Sequence, residues 1–274
     1  MGTNSFSQKS DTTLVSNKGN NYYHITRNGN SKILIFLHGG VKNPIFDDFE
    51  KIHDLNFLLE DNKLFVRTAV KNGFDVLVPI TNDSLNWLSN HEYCFKSITT
   101  YLDAANNYED KFISGFSDGG TGSYKIFYDN IEQFGGLIIF NGYPQHNNFN
   151  RTVDYIQIQD KRIALFSTFD DKVIPYEFLL TEYRKQKETN CDTYLYVRDG
   201  GHTFAEYEQK DFNVCFGIIT GKVNNTKHDI THGYIENDNL IEFYKFRKSI
   251  SKKFGYGEEY LKENKEQEKV IETD

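Results

Sequence analysis

Cross-linking and membrane insertion have little to work with in this sequence. Its three cysteines, Cys94, Cys191 and Cys215, are odd in number and far apart, with no C-x-x-C pair, so neither a disulfide framework nor a zinc knuckle is expected. The thiols read as reduced and partly buried. No apolar run approaches the roughly 20 residues that a membrane-spanning helix needs. The opening M-G-T-N-S-F-S-Q-K-S lacks the apolar stretch of a secretory signal, and Phe6 stands where a myristoylation start wants serine or threonine. The expectation is a soluble, cytoplasmic protein without a membrane partner.

Basic charge is also scarce. Lysine and arginine number 31 against 39 aspartates and glutamates, a net charge of −8, so the average field repels phosphate backbones and nucleic acid is not an expected partner. No G-x-x-x-x-G-K-[ST] phosphate loop occurs, and no dinucleotide fingerprint, so no organic cofactor is implied. His228 and His232 have the i, i+4 spacing of metal ligands, but no H-E-x-x-H and no third ligand accompanies them. They read as loop residues, and no metal is expected.

What is present is enough apolar material, 38% of residues, to bury a substantial core in a single domain. Residues 1–21 are polar and aperiodic and read as a flexible arm; 257–274 read as a mixed-charge tail; 22–256 form one domain. A short strand-like segment lies at Tyr22-Tyr23-His24-Ile25. The run Ile33-Leu34-Ile35-Phe36-Leu37 is then too short for an isolated helix and continuous in the way of a parallel strand covered on both faces. Similar runs recur at 76–78, 112–113, 137–140, 163–166 and 194–197. Between them, helical spacing appears at Leu64 to Val70, Phe95 to Leu102, Tyr124 to Phe127 and Phe178 to Tyr183, and again near 240–246. Alternating strands and helices predict an α/β fold, a mostly parallel sheet with helices on both faces, with chemistry at the carboxyl ends of its strands.

Four short motifs stand at such ends. Gly115-Phe116-Ser117-Asp118-Gly119 follows a strand and opens a helical stretch, matching the G-x-S-x-G turn in which a serine sits on a cramped elbow between glycines. The elbow aims the amide of Asp118 at negative charge developing near Ser117. His38-Gly39-Gly40 closes the first core strand, where the backbone amide of Gly40 is expected to be the second oxyanion donor. Asp171 follows the 163–166 strand and His202 the 194–197 strand, giving the chain order Ser, Asp, His. Trp87, beyond the strand ending near Pro79, reads either as an active-site rim residue or as a packed aromatic.

With L-H-G-G, G-F-S-D-G-G, D-K-V-I-P and G-G-H in this order, residues 22–221 resemble the α/β-hydrolase superfamily. The resemblance is to its esterase-like group of dienelactone hydrolases, polyester depolymerases, feruloyl esterases and prolyl oligopeptidase catalytic domains. It implies Ser117 as nucleophile, His202 as base and, four residues before Pro175, Asp171 rather than Asp170 as the acid. It also implies a serine hydrolase acting on a carboxylic ester of a small or medium-sized molecule. A peptidase or thioesterase on the same residues, or a binding protein that retains the fold, stays open, as does the oligomeric state.

Overall fold

A computed structural model describes residues 10–17, 20–27, 29–39, 62–80, 87, 99–103, 105, 107–144 and 153–222. Its strands are β1 (Asp11–Asn17), β2 (Asn20–Thr26), β3 (Lys32–Leu37), β4 (Phe74–Ile80), β5 (Asp110–Phe116), β6 (Gly136–Phe140), β7 (Arg162–Thr168) and β8 (Asp192–Arg198). They form one sheet in the order β1-β2-β4-β3-β5-β6-β7-β8. Pairing is parallel from β4 through β3, β5, β6 and β7 to β8, whereas β2 runs antiparallel to both β4 and β1. Among the described residues the helices include α1 (Lys63–Lys71), α2 (Asp118–Asp129), α3 (Tyr176–Glu188) and α4 (Gln209–Ile219), and residues 99–103 are also helical.

The sheet is covered on both faces because its central strands carry runs of consecutive apolar residues, which place apolar side chains on both sides. Along β3, Ile33, Ile35 and Leu37 pack with Tyr124 and Phe127 of α2 and Leu179 and Tyr183 of α3. The alternate residues Leu34 and Phe36 pack with Phe65 and Ala69 of α1 and Phe212 and Phe216 of α4. The two-residue period of the strand thus divides one apolar run between two cores.

Three features differ from the sequence-based expectation or lie beyond it. Residues 11–17 form β1 rather than part of a loose arm. The strand's apolar content is slight and Leu14 is 53% exposed, so it is held by the ladder to β2 more than by burial, with Val15 partly buried against the core. Helix α4 was not anticipated, although Phe212, Cys215, Phe216 and Ile219 carry the i, i+3, i+4, i+7 spacing that would have disclosed it. The segments 223–274, with the expected helix near 240–246, His228, His232 and the charged tail, lie outside the described residues. Among the described residues no helix is long and apolar enough to cross a membrane, and no group of three or more His, Cys, Asp or Glu is placed to hold a metal ion.

Candidate active site

The parallel register lines up the carboxyl ends of β5, β6 and β7, with Phe116 opposite Phe140 and Phe140 opposite Phe166. Directly after β5 the chain turns sharply into α2, and Ser117 sits on that turn with φ 54° and ψ −119°, a backbone that a serine rarely adopts. Close packing leaves no room for side chains on either side. A Cβ at Gly115 would lie 2.2 Å from the Gly119 carbonyl oxygen, and one at Gly119 would lie 2.2 Å from that of Leu37. Both obstacles are backbone, which cannot swing aside. Gly119→Ala is therefore expected to destabilise the fold by about 1–3 kcal/mol or more. Gly201→Ala, whose Cβ would come no nearer than 4.0 Å to Asp170 O, should leave the melting temperature almost unchanged. Thermal denaturation of both variants checks this; equal melting temperatures would contradict it.

His202 lies in the loop after β8. Its Nε2 is 2.8 Å from Ser117 Oγ and its Nδ1 is 2.7 Å from Asp171 Oδ2. Phe116 packs against the imidazole, with ring centroids 5.1 Å apart and planes inclined at 30°, shielding one side of the ring. The loop is pinned from both directions. Gly201 N–H donates to Glu206 Oε2 at 2.7 Å, and Thr168 Oγ1 donates to Gly201 O at 2.9 Å.

Asp171 follows β7 and is buried, 1% exposed. Burial is compensated by hydrogen-bond donors on both oxygens: Val173 N–H and Ile174 N–H to Oδ1, both at 2.8 Å, and Asn141 Nδ2 to Oδ2 at 2.6 Å, beside the imidazole. Its neighbour Asp170 is exposed and joins the turn only through its backbone N–H to Gly200 O. Of the two aspartates, Asp171 is the one that faces His202.

Asp118 is the first residue of α2, so its amide stands at the positive end of the helix next to Ser117. Its side chain is turned the other way, Oδ2 accepting from Trp87 N–H at 2.5 Å. Gly40, expected to supply a second amide, lies outside the described residues. The neighbouring His38 is buried, and its Nδ1 donates to Gly39 O at 2.7 Å. Burial holds this imidazole below the ordinary histidine value, so it is a neutral brace for the turn. Trp87 is no rim residue: only 3% exposed, it donates from Nε1 to His38 O at 3.0 Å and braces the same turn. Cys191 and Cys215 are free and buried.

The arrangement can therefore pass a proton from a serine hydroxyl to an imidazole whose other nitrogen is held by a buried carboxylate. Sequence reasoning missed the supports of this line, namely Asn141, Thr168, Glu206 and Tyr207. A weak signal existed for Asn141, a polar residue directly after the apolar strand β6, but Asn141-Gly142 reads from sequence as an ordinary turn.

No family model and no curated protein matches the chain. Solved structures do. The Pyrococcus furiosus esterase Pf2001 is similar over 78% of this chain and 93% of its own, with a TM-score of 0.57 and 13% identity. FphF, a fluorophosphonate-binding serine hydrolase of Staphylococcus aureus, matches over 80% of this chain and 99% of its own, at a TM-score of 0.54 and 15% identity. A ferulic acid esterase matches over 78% and 98%, at 0.54 and 13%. At such identities the likeness concerns architecture, and together with the strand order and register it establishes that this chain has the α/β-hydrolase fold found in these esterases and serine hydrolases.

Proposed function

We propose that the chain is a serine hydrolase that cleaves a carboxylic ester of a small or medium-sized molecule through an acyl-enzyme on Ser117. The observation that carries this reading is the unbroken hydrogen-bonded line from Ser117 Oγ through both nitrogens of His202 to Asp171, at 2.8 and 2.7 Å. A serine hydroxyl is a weak nucleophile until a base takes its proton during attack. His202 Nε2 is within reach to take it, and the Asp171 carboxylate selects the tautomer with the proton on Nδ1 and supports the imidazolium that forms.

In this mechanism Ser117 Oγ adds to the ester carbonyl, and the resulting oxyanion is held by the Asp118 amide, with Gly40 assigned the second donation from the sequence. One oxyanion-hole donor contributes about 3–4 kcal/mol where it has been tested. His202 then protonates the departing alkoxide, leaving an acyl group on Ser117. Water, activated by the same imidazole, releases the acid. No step calls on a metal or an organic cofactor.

The choice of an ester is supported by the fold neighbours, among them the Pyrococcus furiosus esterase Pf2001 and a ferulic acid esterase. Tyr143, Val173 and Phe178 pack around Ile174, whose N–H donates to Asp171, so the surroundings of the acid include an apolar cluster. A panel of acyl-ester, thioester and peptidyl reporter substrates tests the reading. Turnover is expected on esters. Cleavage of peptidyl reporters alone would replace it by a peptidase on the same residues, and reaction with none, with no fluorophosphonate labelling, by a binding protein.

A further inference from the structure

Among the described residues three that are not glycine have left-handed backbone: Ser117, Asn141 and Asn190. Asn190 lies in a turn after α3. Ser117 and Asn141 occupy equivalent places, each directly following its strand, and the last residues of those strands, Phe116 and Phe140, are paired. Their amides continue the ladder, Ser117 N–H to Phe140 O at 3.0 Å and Asn141 N–H to Phe166 O at 2.8 Å. The elbow accounts for the strain at Ser117. Asn141, with φ 45°, is strained beside it and fully buried.

Its side chain explains what the strained backbone achieves. Asn141 Nδ2 donates to Asp171 Oδ2 at 2.6 Å and to Thr168 Oγ1 at 2.9 Å. Oδ1 accepts from Tyr207 OH at 2.6 Å. Thr168 spends its own proton on Gly201 O, the carbonyl directly before His202. One amide is therefore tied to the acid directly and to the loop of the base through a single hydroxyl. Its orientation is determined by its neighbours, since exchanging O and N would set Oδ1 against the carboxylate. Burial raises the Tyr207 hydroxyl well above its ordinary value, so it remains a donor.

We infer that Asn141 is a positioning residue for the acid–base pair: it fixes the Asp171 carboxylate against His202 and locks the His202 loop to the same point, with Tyr207 holding the amide in place. This rests on the hydrolase reading above. The titratable groups around the amide are Asp171 and Tyr207, with His202 behind Asp171.

The test follows the rate at which a fluorophosphonate probe labels Ser117, together with kcat and KM on a reporter ester. Asn141→Gly keeps a residue suited to positive φ and removes the amide. Labelling and kcat are expected to fall about 10- to 100-fold, the range for losing a hydrogen bond to a charged group, with KM within about twofold because no substrate contact is lost. Tyr207→Phe should lose less, about 3- to 10-fold. Asn141→Asp supplies a readout that a space-filling role would not move. A neutral carboxylic acid at 141 can donate to Asp171, whereas an ionised one cannot and repels it. Its labelling rate relative to wild type should therefore rise as pH is lowered, while the ratio for Asn141→Gly stays flat. A wild type that takes no label overturns the hydrolase reading and this inference with it. A labelled wild type with a folded Asn141→Gly variant reacting at the same rate, or with a flat ratio for Asn141→Asp, overturns the positioning role alone. Should Asn141→Gly fail to fold, Tyr207→Phe and Asn141→Asp decide: wild-type rates at every pH in both overturn the role.

Discussion

Replacing Ser117 by alanine is expected to abolish ester turnover and fluorophosphonate labelling together, while the protein stays folded. The hydroxyl hydrogen-bonds to His202 and adds little packing at the elbow. Alanine tolerates φ 54° about as poorly as serine does, so the substitution adds no new backbone cost. A stability change below about 1 kcal/mol is expected, against a fall in kcat on the order of 10⁶-fold, as when the serine of a well-studied triad is removed. The measurements are kcat on a reporter ester, probe labelling followed by mass, and circular dichroism. A folded variant with undiminished turnover would remove Ser117 from the mechanism.

The second large effect separates two adjacent carboxylates. Asp171→Asn is expected to lower kcat by about 10⁴-fold, the penalty in the best-studied triad for a carboxamide in the acid position. The carboxamide would present an N–H either to His202 or to the donors already pointing at this site, Asn141 Nδ2 and the amides of Val173 and Ile174. Wherever it turns, one donor faces another, and the imidazole is pushed toward the wrong tautomer. Asp170→Asn should be nearly silent, because that side chain is exposed and its role in the turn is carried by backbone. Measuring kcat for both purified variants on one ester decides the matter. If the Asp170 variant were the crippled one, the acid would move by one residue; if neither were, the exposed Asp199 would need testing.

Much of the sheet was legible because its central strands are buried on both faces. Continuous apolar runs such as Ile33 to Leu37 and Leu137 to Phe140 have few other uses in so short a length. Strand β1 was not legible for the opposite reason: D-T-T-L-V-S-N is mostly polar, with Leu14 exposed and Val15 only partly buried, and its pairing with β2 makes it a strand. The elbow could be read because Gly115 and Gly119 answer a local steric demand. Trp87 could not be assigned, since an indole near a strand end can line a site or fill space, and only its bond to the His38 carbonyl chose between them.

What the sequence by itself determined is therefore what local chemistry enforces: the alternation of buried strands with amphipathic helices, the cramped serine turn, and the order in which serine, aspartate and histidine follow their strands. The family resemblance already implied Asp171 over Asp170 and the tertiary structure places it against His202, but tertiary structure alone decided what stands behind that carboxylate. Ser117 and His202 are 85 residues apart, and Asn141 and Tyr207 are 66. Hydrogen bonds across such separations depend on the parallel register that brings Phe116, Phe140 and Phe166 level, and a shift of one residue would turn each of these side chains to the other face of the sheet.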